Sequence, residues 1–396
     1  MEKRIVITGL GAVSPVGCNP ISLYNNIIQG KMNFVVPNGL KNNYKELHSV
    51  SLISDDWYNE CDSRNISSEK RITNYILLGV MEALEDAKLL SNREILKNTC
   101  LYIGSSKNYL FEDKDFINNE ALKMDMQLYP LNILTVVSKQ LGIGGENLLL
   151  PVACSGGNVA ISLAEKQIKS EATDIVIAGG ADIFNETCYA IFSSLGILSE
   201  KTSSPFMKNR DGITIGEGAG FVVVESLESA KKRGVKILAE VLGSTLSCDA
   251  FHLTTPNPEG TEAANAMKCA IESAHLTPDG IDCISPHATG TVTNDLQEAN
   301  AIKAVFGKRS SDILISATKS SLGHCLGAAS AIEAVLATLS LEYGLVPETL
   351  NMYDDICEFE FNLYHYPTNH KINTILSNSF AFGGNICCVI FGKYER

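Results

Sequence analysis

The chain has 396 residues, of which 45% are hydrophobic and 19% are charged, and this is the composition of an ordinary globular protein. The length permits a large core or two packed halves, and the composition excludes a fibrous or disordered chain. The net charge of −13 argues against nucleic acid as a partner, because phosphates require a basic surface, and an acidic protein partner would need a local basic patch.

No targeting or membrane-spanning segment is predicted. The first apolar run ends at Gly9, and it has neither the length nor the cleavage site of a signal peptide. No run reaches the roughly 20 apolar residues that span a bilayer. The 12 cysteines are scattered, without a CxxC pair or zinc-ligand spacing. We therefore expect a soluble cytoplasmic protein with reduced thiols, no structural metal and no membrane contact.

Apolar runs typical of buried strands alternate with longer helical patterns, and this alternation predicts an α/β fold. A helix is predicted over residues 72–89, because apolar side chains recur on one face at Ile76, Leu77, Val80, Met81 and Leu84. The strand-like runs lie at residues 5–7, 148–150, 175–178, 221–224, 313–315 and 388–391.

The glycines after the first strand do not indicate a dinucleotide site. Residues 9–14 read Gly-Leu-Gly-Ala-Val-Ser, but the third glycine of the dinucleotide motif is missing and Pro15 interrupts the helix that should follow. We interpret these residues as packing glycines.

Two segments share the order strand, small-residue turn and helix. Residues 148–164 pass through Cys154, and residues 313–341 pass through Lys319 and His324. This weak repeat suggests two related halves around one site.

Cys154 is a candidate nucleophile because it lies where a strand gives way to a helix. A helix N-terminus lowers the pKa of a thiol and favours the reactive thiolate. A buried structural cysteine is the alternative, and for any one of 12 cysteines it is the commoner role.

Two histidines lie in turns of small residues. His287 is followed by Thr289 and Thr291, whose hydroxyls suit an extended polar ligand. A satisfied core or surface histidine is the alternative for this position.

His324 closes the segment 319–324, which begins with Lys319, and Glu333 lies in the helix that follows. The three residues suggest a hydrogen-bonded group that fixes an imidazole tautomer. A capped turn with an incidental Lys–Glu pair is equally compatible with the pattern.

A glycine-rich segment precedes the last strand at residues 378–385, where Gly383 and Gly384 follow Phe382. Glycines allow the backbone to approach a ligand, and its N–H groups could line an oxyanion hole. A tight turn with two core aromatic residues is the alternative.

Taken in order, these segments resemble the elongating β-ketoacyl-acyl carrier protein synthases of the thiolase superfamily, over nearly the whole chain. Five motifs carry the resemblance, at residues 152–155 (Val-Ala-Cys-Ser), 287–291 (His-Ala-Thr-Gly-Thr), 318–324 (Thr-Lys-Ser-Ser-Leu-Gly-His), 378–384 (Asn-Ser-Phe-Ala-Phe-Gly-Gly) and 210–220, which holds Arg-Asp-Gly and Gly-Glu-Gly-Ala-Gly.

The resemblance implies a thiolase-like five-layer αβαβα fold, in the α/β class, with two similar halves around one active site. We expect an N-terminal half at residues 1–248 that carries Cys154 and a C-terminal half at residues 249–396 that carries His287 and His324. It also implies a dimer, either a homodimer or a heterodimer with a related chain-length subunit.

The activity implied is a decarboxylative Claisen condensation, in fatty acid synthesis or in specialised polyketide or polyene synthesis. The substrates would travel on the phosphopantetheine of an acyl carrier protein, without a bound cofactor. Cys154 would carry the acyl group. His287 and His324 would stabilise the enolate that forms when the malonyl thioester loses CO2.

The resemblance assigns supporting roles as well. The backbone N–H groups of Cys154 and Phe382 would form the oxyanion hole, and Phe382 would gate the acyl pocket. Lys319 and Glu333 would organise His324. The hydroxyls implied to contact phosphopantetheine belong to Thr289 and Thr291.

A cationic patch for the acidic carrier is predicted at Lys70 and Arg71, which open the helix at residue 72, although a solvated helix start is nearly as compatible. A further cationic stretch lies in a loop-like region, at Lys201, Lys208 and Arg210.

The chain departs from the family pattern near the gate and the first histidine. Ala381 stands where a glycine usually precedes the gating phenylalanine, and Ala288 stands where His-Gly is usual. An added Cβ at residue 381 restricts a hinge, so the gate's mobility is in question. The catalytic atoms are intact, and a specialised pathway is as compatible with these changes as housekeeping synthesis.

Three alternatives remain. A degradative thiolase would need a second catalytic cysteine, and Lys319 and His324 have no counterpart there. A non-condensing chain-length subunit would usually lack the nucleophile that Cys154 supplies. The catalytic ketosynthase subunit of a type II polyketide heterodimer, which pairs with such a chain-length subunit, is compatible with the sequence.

Overall fold

The computed structural model describes residues 3–40, 44, 46–55, 59, 63–66, 68, 70–106, 133–350, 357–363 and 371–395. The strands in these residues are β1 (Ile5–Val13), β2 (Phe34–Val35), β3 (Val50–Ser51), β4 (Cys100–Gly104), β5 (Asn147–Leu150), β6 (Ile175–Asp182), β7 (Ile215–Gly216), β8 (Gly218–Ser226), β9 (Ala239–Cys248), β10 (Cys283–Ser285), β11 (Leu314–Ile315), β12 (Asn362–Leu363), β13 (Thr374–Ala381) and β14 (Asn385–Gly392).

The α-helices in the same residues are α1 (Pro20–Ile28), α2 (Arg71–Asp86), α3 (Arg93–Leu96), α4 (Gly156–Lys169), α5 (Glu186–Ser194), α6 (Leu227–Arg233), α7 (Thr261–Ser273), α8 (Val292–Phe306), α9 (Lys319–Leu322) and α10 (Ala329–Tyr343). Two 3-10 turns border the site, at Ala153–Ser155 and Leu326–Ala328. Each predicted strand is confirmed, and the predicted helix from residue 72 is α2, which ends at Asp86.

The main sheet contains the same pattern of antiparallel and parallel strand pairing twice. Its order is β12-β11-β10-β13-β14-β9-β1-β8-β6-β4-β5. Outward from β1, the strands β8 and β6 pair antiparallel and β4 and β5 pair parallel. Outward from β9, the strands β14, β13, β10 and β11 follow the same pattern. The prediction of two similar halves is therefore confirmed, and they meet where β1 pairs with β9.

Both faces of the strands β1, β6 and β8 are buried, so their residues are buried at every position rather than at alternate ones. In β8, Val222 and Val224 pack in the core between the halves, while Phe221 and Val223 pack in an outer core beneath α2. The helices α7 and α8 cover the outer face of the second half.

The helices α4 and α10 lie in the centre and touch each other closely. The Asn158 amide donates to Ser330 Oγ at 3.0 Å, and a Cβ added at Gly157 would lie 2.6 Å from Ala331 Cβ. Helix, sheet, helix, sheet and helix therefore follow in five layers, as predicted.

The division between the halves remains a proposal. The repeated succession begins its second copy at β9 (Ala239–Cys248), and this favours a division within residues 234–238. The boundary predicted after residue 248 would instead leave β9 with the first half.

Within the described residues, the stretch Leu326–Tyr343 is long and apolar enough to cross a membrane, but 89% of it is buried inside the fold. It is the central helix α10 with the turn before it, so packing between the two halves explains its apolar surface.

Candidate active site

Cys154 lies at the point where β5 turns into α4. The 3-10 turn Ala153–Ser155 holds it, and Ala153 has φ of +49°, in the left-handed region that alanine rarely occupies. Gly156 allows the turn to sit against β4, because an added Cβ would lie 2.8 Å from Gly104 Cα. The strained turn presents the thiol, 8% exposed, to a pocket that His287 and His324 also line.

The Cys154 side chain is buried. Burial raises the pKa of Cys154 to about 12, the charge of Asp182 acts in the same direction, and Lys319 opposes it. Burial therefore opposes the lowering that the helix start predicts, and the lowered pKa stays a prediction.

His324 is fixed through its backbone. Its amide donates to the Thr214 carbonyl at 2.7 Å, and its carbonyl accepts from the Gly216 amide at 2.9 Å. Burial, and then the charge of Lys319, lower the pKa of His324 to about 3. The imidazole is therefore neutral near pH 7.

Lys319 and Glu333 form a buried ion pair beside this turn. Lys319 Nζ lies 2.6 Å from Glu333 Oε1, and each side chain is 2% exposed. Burial raises the pKa of Glu333, and Lys319 opposes the shift. Among the described residues His324 Nδ1 has no hydrogen-bond partner, and the charge of Lys319 acts on His324 by lowering its pKa.

His287 lies in the loop between β10 and α8. Its ring centroid is 5.4 Å from that of His324, with the ring planes 84° apart. Burial first, then Lys319 and His324, hold the pKa of His287 well below its ordinary value. His287 and His324 thus present neutral imidazoles to the pocket, whose ring nitrogens can donate or accept hydrogen bonds, and His252 also lines it.

Sequence reasoning missed the residue that anchors the His287 loop. Glu298 of α8 accepts the amide of His287 at 2.8 Å and that of Ala288 at 2.7 Å. Asn378 Nδ2 donates to the same carboxylate at 3.1 Å. Ala288 has φ of +40°, so the anchor holds a strained backbone. One sequence feature could have revealed Glu298: it is a glutamate on the buried side of the helix that directly follows a histidine motif.

The predicted threonines line the pocket. Thr289 Oγ1 and Thr291 Oγ1 lie 3.0 Å apart, and Thr291 caps α8 by accepting the Asn294 amide at 3.4 Å. Thr254 and Thr255 line the same pocket and were missed, because nothing in their local sequence marks them as pocket residues.

Phe382 stands at the tip of the β13–β14 hairpin and lines the pocket. Its ring stacks on Phe192, with centroids 6.1 Å apart and planes 30° apart. The left-handed backbone lies at Gly383 (φ +82°) and Gly384 (φ +77°). Ala381 ends β13 in regular pairing with Asn385 and is not left-handed, so in this conformation its Cβ carries no backbone penalty.

Comparison with known proteins decides the family. The chain matches the beta-ketoacyl synthase N-terminal domain over residues 2–230 and the C-terminal domain over residues 238–353. The chain belongs to the beta-ketoacyl synthase family. It is 32% identical to the 3-oxoacyl-[acyl-carrier-protein] synthase 2 of Staphylococcus aureus strain COL, over 100% of this chain and 99% of that protein.

Two solved structures resemble this beta-ketoacyl synthase over their whole length. The ishigamide ketosynthase/chain length factor has a TM-score of 0.89 and 29% identity, covering 100% of both chains. A type II polyketide synthase acyl-carrier protein in complex with its ketosynthase bound to the hexaketide also has a TM-score of 0.89, at 26% identity and 100% coverage of both chains. The predicted family and the thiolase-like fold are confirmed.

Two of the cations predicted for carrier docking are engaged inside this beta-ketoacyl synthase. Arg71 is 2.9 Å from the buried carboxylate of Glu217 and is only partly exposed. Arg210 is buried, pairs with Glu358 and lies 3.7 Å from Asp295. Arg210 is therefore not exposed for docking, because its partners, which are distant in sequence, hold it inside the fold.

Lys201 and Lys208 are exposed, and Lys70 is half-buried at the start of α2. These three remain predictions for docking. Among the residues that the structure describes, no group of three His, Cys, Asp or Glu side chains is arranged to hold a metal ion.

Proposed function

We propose that this beta-ketoacyl synthase condenses an acyl group on Cys154 with malonyl-acyl carrier protein, releasing CO2 and giving β-ketoacyl-acyl carrier protein. The observation that carries the proposal is the convergence of Cys154, His287 and His324 on one pocket. The thiol comes from the first half and both imidazoles come from the second, so the pocket requires both halves.

In the loading step, Cys154 Sγ attacks the acyl thioester carbonyl, and the phosphopantetheine sulfur leaves with the thiol proton. The backbone N–H groups of Cys154 and Phe382 stabilise the tetrahedral oxyanion. Burial raises the pKa of the free thiol, and this favours loss of its proton during the transfer rather than before it.

In the condensing step, N–H groups of His287 and His324 hydrogen-bond the malonyl thioester carbonyl. The bond to the carboxylate breaks, CO2 departs, and the electron pair forms an enolate that these donors stabilise. The enolate carbon then attacks the acyl-cysteine carbonyl, the bond from that carbonyl carbon to Cys154 Sγ breaks, and the released thiolate takes up a proton from solvent. Neutral imidazoles suit this role, since their low pKa values keep them uncharged near pH 7.

The remaining site residues position these groups. Burial first, and then the positive charge of Lys319 in its pair with Glu333, lower the pKa of His324 and keep its imidazole neutral. Thr289 and Thr291 contact the phosphopantetheine arm at the pocket mouth. Phe382 closes the acyl pocket against Phe192.

The acyl groups arrive on a carrier protein, so no separate cofactor is required, and the reaction takes place in the cytoplasm. The solved type II acyl-carrier protein in complex with its ketosynthase supports the carrier as partner. A dimer is supported by β5, which ends the sheet and is half-buried along its length. Within the described part of the chain no strand covers its outer edge, so a second subunit can pair there.

The second candidate is the ketosynthase subunit of a heterodimer with a chain-length partner. The similarity to the ishigamide ketosynthase/chain length factor favours it. A non-condensing subunit is less well supported, because Cys154, His287 and His324 are all retained.

A condensation assay tests the proposal. The purified chain, with acyl-carrier and malonyl-carrier proteins, should form β-ketoacyl-carrier, detected by intact-mass spectrometry, and His324→Ala should lower the rate at least about a hundredfold. Activity only after co-expression with a related subunit would favour the heterodimer. No product under either condition, with acyl-carriers of several chain lengths, would contradict the proposal.

A further inference from the structure

Thr214 holds the backbone of His324 from the other half of the fold. It lies in the first half, directly before β7, and is 1% exposed. Its carbonyl oxygen accepts the His324 amide at 2.7 Å. A Cβ added at Gly323, which has φ of +68°, would lie 2.8 Å from the same oxygen. The turn that carries His324 therefore rests directly against the Thr214 backbone.

Ser203, also in the first half, holds the loop that carries His287. The residue is buried, and its Oγ donates to the Thr289 carbonyl at 2.8 Å. A Cβ added at Gly290, which has φ of +81°, would lie 2.5 Å from Ser203 Oγ and 2.8 Å from the Gly212 carbonyl oxygen. The loop therefore approaches Ser203 more closely than any residue but glycine allows.

One buried hydrogen bond joins these two contacts. Thr214 Oγ1 accepts the Ser203 amide at 2.8 Å. A continuous path of backbone and hydroxyl groups therefore runs from His324 through both residues to the His287 loop. The path spans the two backbones that carry the imidazoles, whose ring centroids are 5.4 Å apart.

We propose that Ser203 and Thr214 are positioning residues that set the separation of the two imidazoles. The inference rests on the proposed function, in which His287 and His324 donate hydrogen bonds to one thioester carbonyl. Two donors stabilise the developing enolate oxygen only if each lies about 3 Å from it, so a displaced loop weakens the stabilisation. Ser203 and Thr214 are not among the described residues that line the pocket, and they act through the histidine backbones.

Thr214→Val tests the link, because it removes the hydroxyl that accepts the Ser203 amide and keeps the carbonyl that accepts the His324 amide. The kcat of condensation should fall about tenfold with KM for malonyl-carrier unchanged, since the affected hydrogen bonds strengthen in the transition state. Acyl loading onto Cys154 uses neither imidazole and should keep the wild-type rate. Thr214→Ser restores the hydroxyl and should condense at the wild-type rate.

Thr374→Val is the matched control. Thr374 Oγ1 also accepts a backbone amide, that of Asp282, at 3.0 Å. It begins β13 and lies at the far end of this strand from Ala381 at the pocket, about 23 Å away along an extended strand. This variant should keep the wild-type rates of loading and condensation.

Three results would overturn the inference: condensation at the wild-type rate in folded Thr214→Val, an equal fall in its loading and condensation rates, or Thr214→Ser as slow as Thr214→Val. If Thr214→Val does not fold, as judged by circular dichroism, Ser203→Ala decides. It removes the bond to the Thr289 carbonyl and keeps the Ser203 amide, so it should show the same selective loss of condensation. Wild-type condensation in folded Ser203→Ala would then overturn the inference.

Hydrogen exchange separates this inference from the proposed function. The peptide of residues 286–291, followed by mass spectrometry, should exchange about tenfold faster in Ser203→Ala than in wild type or Thr374→Val, because the His287 loop has lost a hydrogen bond. If the wild type does not condense, the proposed function fails and this exchange rate decides. Equal exchange in Ser203→Ala and wild type would overturn the inference.

Discussion

Replacing Glu298 with glutamine should loosen the His287 loop. In the wild type, one carboxylate oxygen accepts the His287 amide and the Asn378 side chain, and the other accepts the Ala288 amide. In Glu298→Gln, an NH2 group must face one of these donors, so one buried N–H loses its acceptor. The cost is about 1–3 kcal/mol of stability. If the transition state of condensation loses the same stabilisation of about 1–3 kcal/mol, the reaction slows about fivefold to a hundredfold.

The variant should also change how stability depends on pH. Burial raises the pKa of Glu298 from its ordinary 4.5 to about 7. Below about pH 4.5 the carboxyl is protonated in both the folded and unfolded chains, and its contribution is fully present. As pH rises through about 7, the folded state loses about 3 kcal/mol, because the unfolded chain ionises more readily. Glutamine removes this loss.

The expected shift follows from the size of the chain. About 2.1 cal/mol/K of unfolding entropy per residue over 396 residues gives about 0.8 kcal/mol/K. A loss of about 3 kcal/mol therefore lowers the Tm by about 4 °C between pH 4.5 and pH 8. The fall in Tm over this range should be about 4 °C smaller in Glu298→Gln than in wild type.

Differential scanning calorimetry at pH 4.5 and pH 8 measures this difference, and a coupled condensation assay measures the rate. Glu272 is an exposed glutamate on α7, and Glu272→Gln is the matched control. This variant should keep the wild-type change in Tm between pH 4.5 and pH 8 and the wild-type condensation rate. If Glu298→Gln and wild type show the same change in Tm between pH 4.5 and pH 8 and the same condensation rate, Glu298 does not anchor the His287 loop.

The other predictions concern the gate, the docking surface and the nucleophile. Gly384→Ala should slow acyl loading about tenfold or more, because residue 384 has φ of +77° and an added Cβ would lie 2.3 Å from Asp249 Oδ1. Ala381→Gly should load at the wild-type rate, because residue 381 is not left-handed. Stopped-flow loading decides this, and faster loading by Ala381→Gly would show that the alanine does restrict the gate. Lys70→Glu should raise KM for the carrier and weaken its salt dependence, and an unchanged KM over a salt series removes Lys70 from the docking surface. Cys154→Gln should lose condensation yet release CO2 from malonyl-carrier, because the amide resembles the acylated thiol; absence of CO2 would contradict that mimicry.

The three residues that meet in the pocket could be singled out from the sequence because each lies in a local motif. Cys154, His287 and His324 sit in short turns whose small residues follow directly after apolar strands. The strand patterns were readable for a similar reason, since both faces of β1, β6 and β8 are buried and the runs are continuously apolar. Such signals depend on neighbouring residues only.

Features that depend on distant partners could not be predicted. Arg71 pairs with Glu217, 146 residues away, and Arg210 reaches Glu358, 148 residues away. A cation looks like a docking residue until its partner is known. The raised pKa of Cys154 has the same origin, because it results from burial by both halves and from Asp182 on another strand.

The effect of Ala381 also required the structure. Its position beside Phe382 suggested a hinge residue, but whether alanine is strained depends on φ, and φ cannot be read from the residue type. The hairpin places its left-handed residues at Gly383 and Gly384 instead.

The central claim is that Cys154 carries the acyl group. Intact-mass spectrometry after incubation with an acyl-carrier protein tests it directly, on wild type and on Cys154→Ala, in which one small residue replaces another. Wild type should gain the mass of one acyl group, and Cys154→Ala should gain none while keeping its fold by circular dichroism. A gain of one acyl group in folded Cys154→Ala would contradict the account.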